Sequence, residues 1–232
     1  MDTDELSAAL TGTVAVLFDF DGPVVDVFVG ESAKQVKTDL IALAATSEPA
    51  LLGKLSDAHD FLEVLRLTHE FDTEIGLEVE RALTAAEVEA VEIAGDPTPG
   101  AIAALEAARA SGRKVAVVSN NSAASVQAFL DRHGLAGHVQ AVVGRPEERP
   151  ELMKPNPHSL IKAAELLGVE VTLCVLIGDS LTDIQGAHAA GCAAIGYANK
   201  APKRDLFAAA GAEAITESMQ AIAAAIRSQP DN

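Results

Sequence analysis

Two acidic residues, Asp19 and Asp21, follow directly on an unbroken apolar run, Val14 to Phe18. A second run, Val115 to Val118, stops at Ser119-Asn120-Asn121, and a later one, Leu173 to Ile177, stops at Gly178-Asp179-Ser180, with Asp183 shortly after. Short β-branched runs ended by turn residues read as buried parallel strands, and in an open parallel sheet the ligand crevice lies beyond the carboxyl ends of the strands. The polar tips therefore converge on one place. Carboxylates gathered there at neutral pH repel one another, and a divalent cation is the usual means of keeping them ionised. Only oxygen donors are at hand, with no Cys or His cluster, so the set suits Mg²⁺ rather than Zn²⁺. A lone Asp-x-Asp would be weak evidence, since acidic residues after strands commonly cap helices; several polar tips, each behind an apolar run, form a far more specific pattern.

The elements that must position these tips are legible as alternation. Further apolar runs lie at Val139 to Val143 and Ala193 to Ile195, and helical patterns at Ala101 to Ala110, Ala123 to His133, His158 to Leu167 and Asp183 to Ala190 separate the strands. This order predicts an α/β fold with a doubly wound parallel sheet. Between about Val27 and Asp96 the alternation stops. Glu31 to Ala45, Asp57 to Glu70 and Glu74 to Leu83 carry apolar residues at three- and four-residue spacing, and Thr84-Ala-Ala-Glu87 has the capping-box pattern that would start a further helix. Asp96-Pro-Thr-Pro-Gly100 returns the chain to the sheet. We expect a core domain of residues 1–26 and 97–232 and an inserted helical cap of residues 27–96.

Composition narrows the function. At 232 residues with 49% apolar content the chain can bury a substantial core. Seventeen Lys and Arg against 34 acidic residues give a net charge of −17, which repels nucleic acid and anionic lipid. Nucleic acid and membrane are therefore not expected partners, and a bound cation would be needed to receive a small anion. Cys174 and Cys192 stand in apolar surroundings without metal-ligand spacing and read as small core residues. No apolar run approaches the roughly 18 residues of a membrane span, and the start resembles no signal peptide, so we expect a cytoplasmic setting.

Taken together, Asp19-Phe-Asp21-Gly22-Pro23-Val24-Val25-Asp26, Val117-Val118-Ser119-Asn120, Lys154-Pro155 and Gly178-Asp179-Ser180-Leu-Thr-Asp183 resemble the four ordered motifs of the haloacid dehalogenase superfamily. Within it, the chain is similar to the phosphoglycolate phosphatase-like and β-phosphoglucomutase-like members from about Val14 to Ala214. The resemblance implies a Rossmann-like core with a helical cap and a Mg²⁺-dependent phosphatase acting on a small phosphorylated metabolite. It implies that Asp19 is the nucleophile, that Asp21 is the general acid and base and meets the metal through its carbonyl, and that Asp179 completes the metal ligands. It further implies that Ser119, the Asn120 amide and Lys154 hold the phosphoryl group, that Gly22 turns the chain beneath it, and that Asp183 orients Lys154 or a metal-bound water. Pro23 lacks the hydroxyl found there in many members, and Asn156, where Asp often follows Lys-Pro, should cap the helix near His158.

Alternatives remain open at this level. A mutase returns the phosphoryl group to a sugar on the same core. Among non-enzymes, a receiver module accepts phosphate on Asp but has no inserted cap, and a degenerate phosphate sensor has no use for Asp21. Within the insert, which should close over the site, His59, Arg66, Lys34 and Lys37 read as solvated helix faces, with contact to the substrate's leaving group as the alternative, and His69, His133, His138, His158 and His188 read as surface or helix-end residues. Oligomeric state and substrate identity leave no mark in the sequence.

Overall fold

The computed structural model describes residues 2–28 and 30–229, so residues 1, 29 and 230–232 of the expected domains lie outside the described residues. Six parallel strands form one sheet: β1 (Ala15–Phe18), β2 (Lys114–Val118), β3 (Ala141–Val143), β4 (Cys174–Gly178), β5 (Ala193–Tyr197) and β6 (Ala214–Thr216). Their order is β3-β2-β1-β4-β5-β6, so the first strand lies at the centre, with Ala15 paired to Lys114 on one side and to Cys174 on the other.

Alternation along these strands sends side chains to two cores. Val16, Phe18, Val115, Val117, Val175 and Ile177 pack beneath α1 (Asp2–Leu10), α6 (Ala101–Ala110), α7 (Ala123–Arg132) and α11 (Met219–Arg227). Ala15, Leu17, Ala116, Val118, Cys174 and Leu176 pack beneath α8 (His158–Leu167), α9 (Leu181–Ala190) and Phe207 of α10 (Pro202–Ala209). Fully burying each Val, Leu or Ile contributes about 1.5–3 kcal/mol, so the double covering makes the sheet a rigid platform for its tips. Burial pushes the thiols of Cys174 and Cys192 up to about 11 and about 12, consistent with core residues. No helix among the described residues is long and apolar enough to cross a membrane.

Several elements depart from the expectations. Strand β6 and helices α1, α10 and α11 were not anticipated; β6 has three residues, too few to show a period. Strand β5 runs past Ile195 through Gly196 and Tyr197. A Cβ on Gly196 would stand 2.5 Å from the Phe207 ring, so this glycine serves packing rather than a turn.

The insert contains α2 (Ser32–Ser47), α3 (Leu51–Ser56), α4 (Phe61–Phe71) and α5 (Thr73–Ile93), gathered on a separate cluster that includes Leu40, Leu55, Leu65, Val79 and Leu83. The helix expected from Asp57 to Glu70 starts instead at Phe61, because Asp60 caps it by accepting from the Glu63 amide at 2.8 Å. The capping box expected at Thr84 to Glu87 starts nothing: α5 is continuous, capped by Asp72 on the amides of Glu74 and Ile75, and both Thr84 and Glu87 are engaged by Arg145. The far end of α5 leaves the insert's cluster, and Val91 packs into the first sheet core.

Candidate active site

Asp19 extends β1 by one ladder bond, its amide donating to the Ile177 carbonyl at 2.8 Å, and Phe20 then anchors the turn edge-on against Phe129. The Asp21 carboxylate accepts from the Val27 amide at 2.9 Å. Gly22 turns the chain at φ 103°, and a Cβ there would stand 2.5 Å from the Asp179 carboxylate. We expect Gly22→Ala to cost about 1–3 kcal/mol, from the positive φ together with displacement of Asp179; a urea unfolding midpoint checks this, and an unchanged midpoint would refute it.

At the tip of β2, Ser119 is almost fully buried; its hydroxyl donates to Asn121 Oδ1 at 3.1 Å and accepts from the Asn121 amide at 3.1 Å. The Asn120 side chain does something the sequence reading missed. Its Oδ1 accepts from the Lys154 amide at 2.9 Å while its Nδ2 donates to the Lys154 carbonyl at 3.2 Å, clamping the lysine loop to the β2 tip. Asn156 was expected to cap the helix near His158, but the N-cap position of α8 is Pro157 and carries no side-chain cap bond; Asn156 instead accepts from the His158 amide at 3.0 Å in a turn just ahead of the helix.

Lys154 is buried, and its ammonium lies 2.8 Å from Asp19 Oδ1, 2.6 Å from Asp183 Oδ1 and 3.1 Å from the Val118 carbonyl. Burial alone would lower its pKa, but Asp183 and Asp19 overcome that and raise it, so the lysine is a fixed positive charge. The other oxygen of Asp183 accepts from the amides of Asp179 and Ser180, both at 3.0 Å, and from the Ser180 hydroxyl, closing the capping box of α9. Asp183 thus aims Lys154 while being held on every side.

Carboxylate oxygens of Asp19, Asp179 and Asp183 lie within 4.8 Å of one another. Asp21 lines the same cavity, with its carboxylate held by Val27, so Asp183 takes the third place in the carboxylate cluster. Burial raises the Asp19 pKa, Asp183 adds to the rise, and Lys154 opposes it. Asp21 is pushed up to about 6, chiefly by burial, against the Val27 hydrogen bond. Burial also raises Asp179, against the ion pair with Lys203. Raised values on neighbouring carboxylates mean that the negative charge here is under-compensated. An all-oxygen donor set with unneutralised charge fits a hard dication.

Two residues on Asp179 were missed by sequence reasoning. Asp179 Oδ2 accepts from Asn199 Nδ2 at 3.2 Å and lies 2.5 Å from Lys203 Nζ. Both follow β5, whose tip was expected at Ile195; with the strand ending at Tyr197, Asn199 becomes another polar strand tip.

The reactive groups open into a cavity of about 330 Å³ that also touches Asp60, Phe61, Leu62 and Arg66 of the insert. Arg66 is therefore a correction, since it borders the site rather than a solvated face. Lys34 pairs with Glu31, and Lys37 donates to the Ala58 carbonyl. His59 is not among the residues that line the cavity. A larger cleft of about 670 Å³ runs along α5 beside Arg145, away from the aspartates, so cavity size does not select the site.

Arg145 joins the insert to the β2 tip. It is buried, donates to Glu87 Oε1 at 2.7 Å, to Thr84 at 3.0 Å and to the Asn120 carbonyl at 3.0 Å, and has Glu80 Oε1 at 3.5 Å. Glu87 also accepts from the Ser122 amide at 2.8 Å. Nothing in the sequence singles out Arg145.

A family model described as haloacid dehalogenase-like hydrolase matches residues 13–191. A phosphoglycolate phosphatase of Neisseria meningitidis is 30% identical over 197 residues, covering 82% of this chain and 83% of that protein. The plasmid-borne phosphoglycolate phosphatase of Cupriavidus necator is 34% identical over 134 residues, 56% of this chain and 55% of that one. Among solved structures, a predicted phosphoglycolate phosphatase from Haemophilus somnus superposes with a TM-score of 0.63 at 21% identity, covering 91% of this chain and 97% of that chain. A β-phosphoglucomutase from Clostridium difficile gives 0.65 at 16% identity, with 90% and 92% covered. At such identities these two structures establish the fold. The family model spans the strand tips that carry Asp19, Ser119 and Asp179 and the loop that carries Lys154, and with it the chain belongs to the haloacid dehalogenase-like hydrolases.

Proposed function

We propose that the protein is a Mg²⁺-dependent phosphatase that hydrolyses a small phosphorylated metabolite, of the kind named for its phosphoglycolate phosphatase relatives, through an aspartyl-phosphate on Asp19. The observation that carries this reading is the Asp19 carboxylate, held 2.8 Å from the Lys154 ammonium at the floor of a small cavity that Asp21 and Ser119 also line. Residues 1–26 and 97–232 serve as the catalytic core, with 27–96 as the cap that excludes water. We place its work in the cytoplasm, a reading supported by the two buried thiols.

In the first step an Asp19 oxygen attacks phosphorus in line, and the bond to the leaving oxygen breaks while Asp21 supplies the proton. In the second, Asp21 takes a proton from water, the hydroxide attacks phosphorus, and Asp19 departs with inorganic phosphate as product. A pKa near 6 suits Asp21 to both directions of transfer. The Ser119 hydroxyl, the Asn120 amide and Lys154 neutralise the equatorial oxygens, and Asp183 positions Lys154. Asp19, Asp179 and the Asp21 carbonyl would hold Mg²⁺, with Asp183 behind them, and the ion when bound supplies the charge compensation the aspartates lack.

Chelation with EDTA is expected to lower phosphate release from a panel of phosphomonoesters by about 10³-fold or more, with restoration by Mg²⁺, since a metal's stabilisation amounts to several kcal/mol. Release that persists in EDTA would overturn the metal assignment. A requirement for an added sugar bisphosphate would favour the mutase.

A further inference from the structure

Arg66 stands out in a strongly acidic protein. The other cations near the two-domain junction are engaged: Arg145 with Glu87, Lys154 with Asp19 and Asp183, and Lys203 with Asp179. Arg66, in the middle of α4, is the one guanidinium lining the catalytic cavity, and it makes no ion pair or hydrogen bond among the described residues. It forms part of the wall between this cavity and a shallow cleft of about 480 Å³ bordered by Glu70, Glu148 and Glu151, yet none of those carboxylates pairs with it. An unpaired, half-buried guanidinium facing a reaction chamber retains its full capacity for a planar, two-oxygen acceptor.

The cavity's charge pattern says what that acceptor is. The transferring phosphoryl group belongs to the Lys154 end, where Ser119 and Asn120 also lie. Arg66 comes from the insert, with Phe61 and Leu62 offering apolar contact beside it. A volume of about 330 Å³ accommodates a phosphoryl group together with a small leaving group. Resting on the phosphatase reading above, we propose that Arg66 is a specificity residue that binds a carboxylate on the leaving group, so that the substrates are small phosphorylated hydroxy acids.

The test compares phosphoglycolate with ethyl phosphate, an ester of similar size that lacks the carboxylate, in the wild type, Arg66→Met and Arg66→Lys. Wild type is expected to prefer the acid. The ratio of kcat/KM for the acid over the neutral ester should fall about 10- to 150-fold in Arg66→Met, as expected for losing a hydrogen-bonded charge pair, with the change mainly in KM and partial recovery in Arg66→Lys. A ratio that moves less than about twofold, or a wild type that favours the neutral ester, overturns the proposal. Calorimetric binding of the same two esters to Asp19→Asn, with and without Arg66→Met, makes the comparison without turnover. Lost discrimination there supports the carboxylate site even where the phosphatase reading fails, and equal binding of both esters to Asp19→Asn defeats it.

Discussion

Asp19→Asn is expected to lower turnover of every phosphomonoester by about 10⁴-fold or more, because an amide cannot form the aspartyl-phosphate through which both steps pass. The fold should survive. Asn is nearly the same shape, Lys154 retains Asp183 at 2.6 Å, and repulsion with Asp179 and Asp183 is relieved. The sign of the stability effect follows from linkage. Burial and acidic neighbours raise the folded pKa of Asp19 above its unfolded value, so the stability associated with its proton is present below the unfolded pKa and is lost as pH rises through the folded one. At pH 7 without metal the ionised group is therefore a net cost, and the Asn variant should melt no lower than wild type in EDTA. Thermal melts and phosphate release measured on the same samples check both halves. Substantial residual hydrolysis would defeat the nucleophile assignment, and a sharply lower melting temperature would defeat the account of its charge.

Arg145→Met should be the most destabilising single change, at about 3–5 kcal/mol, because it leaves Glu87, fully buried, and Glu80, nearly so, without their cation. In a chain of this size that corresponds to a melting temperature lower by roughly 6–20 °C. A second substitution supplies the control. Replacing a buried ion pair by apolar groups of similar volume is often neutral, so Arg145→Met combined with Glu87→Met should recover a large part of the loss. If the double variant is as unstable as the sum of the singles, Arg145 stabilises by packing rather than by charge. Since Arg145 also holds the Asn120 carbonyl, the single variant should also lose kcat/KM.

The chemistry was legible because a buried parallel strand must be apolar along its length, which makes the first polar residue after it conspicuous. Asp19, Ser119 and Asp179 all announce themselves this way, and Lys154 does so through its proline and the family motif. Where that rule weakens, so did the reading. Gly196 and Tyr197 blur the end of β5, hiding Asn199 and Lys203. Glu87 carried a local pattern that fitted a helix start, yet a partner 58 residues away decided its role. Arg145 and Arg66 had no local pattern at all: a lone arginine among acidic residues looks like solvated surface until the fold shows what it faces. Short sheet elements such as β6 are likewise selected by what they pair with, and their own composition says little.

The central place of β1 has a bearing on how the molecule comes into being. In chain order the nucleophile's strand precedes both of its neighbours, so on a ribosome β4 must still be synthesised before Ala15 can meet Cys174. The helices of residues 32–93 gather on contacts among themselves and can compact in the meantime. Until the fourth strand arrives, the apolar edge of β1 remains open, and that interval is when a nascent chain of this design is most in need of a chaperone.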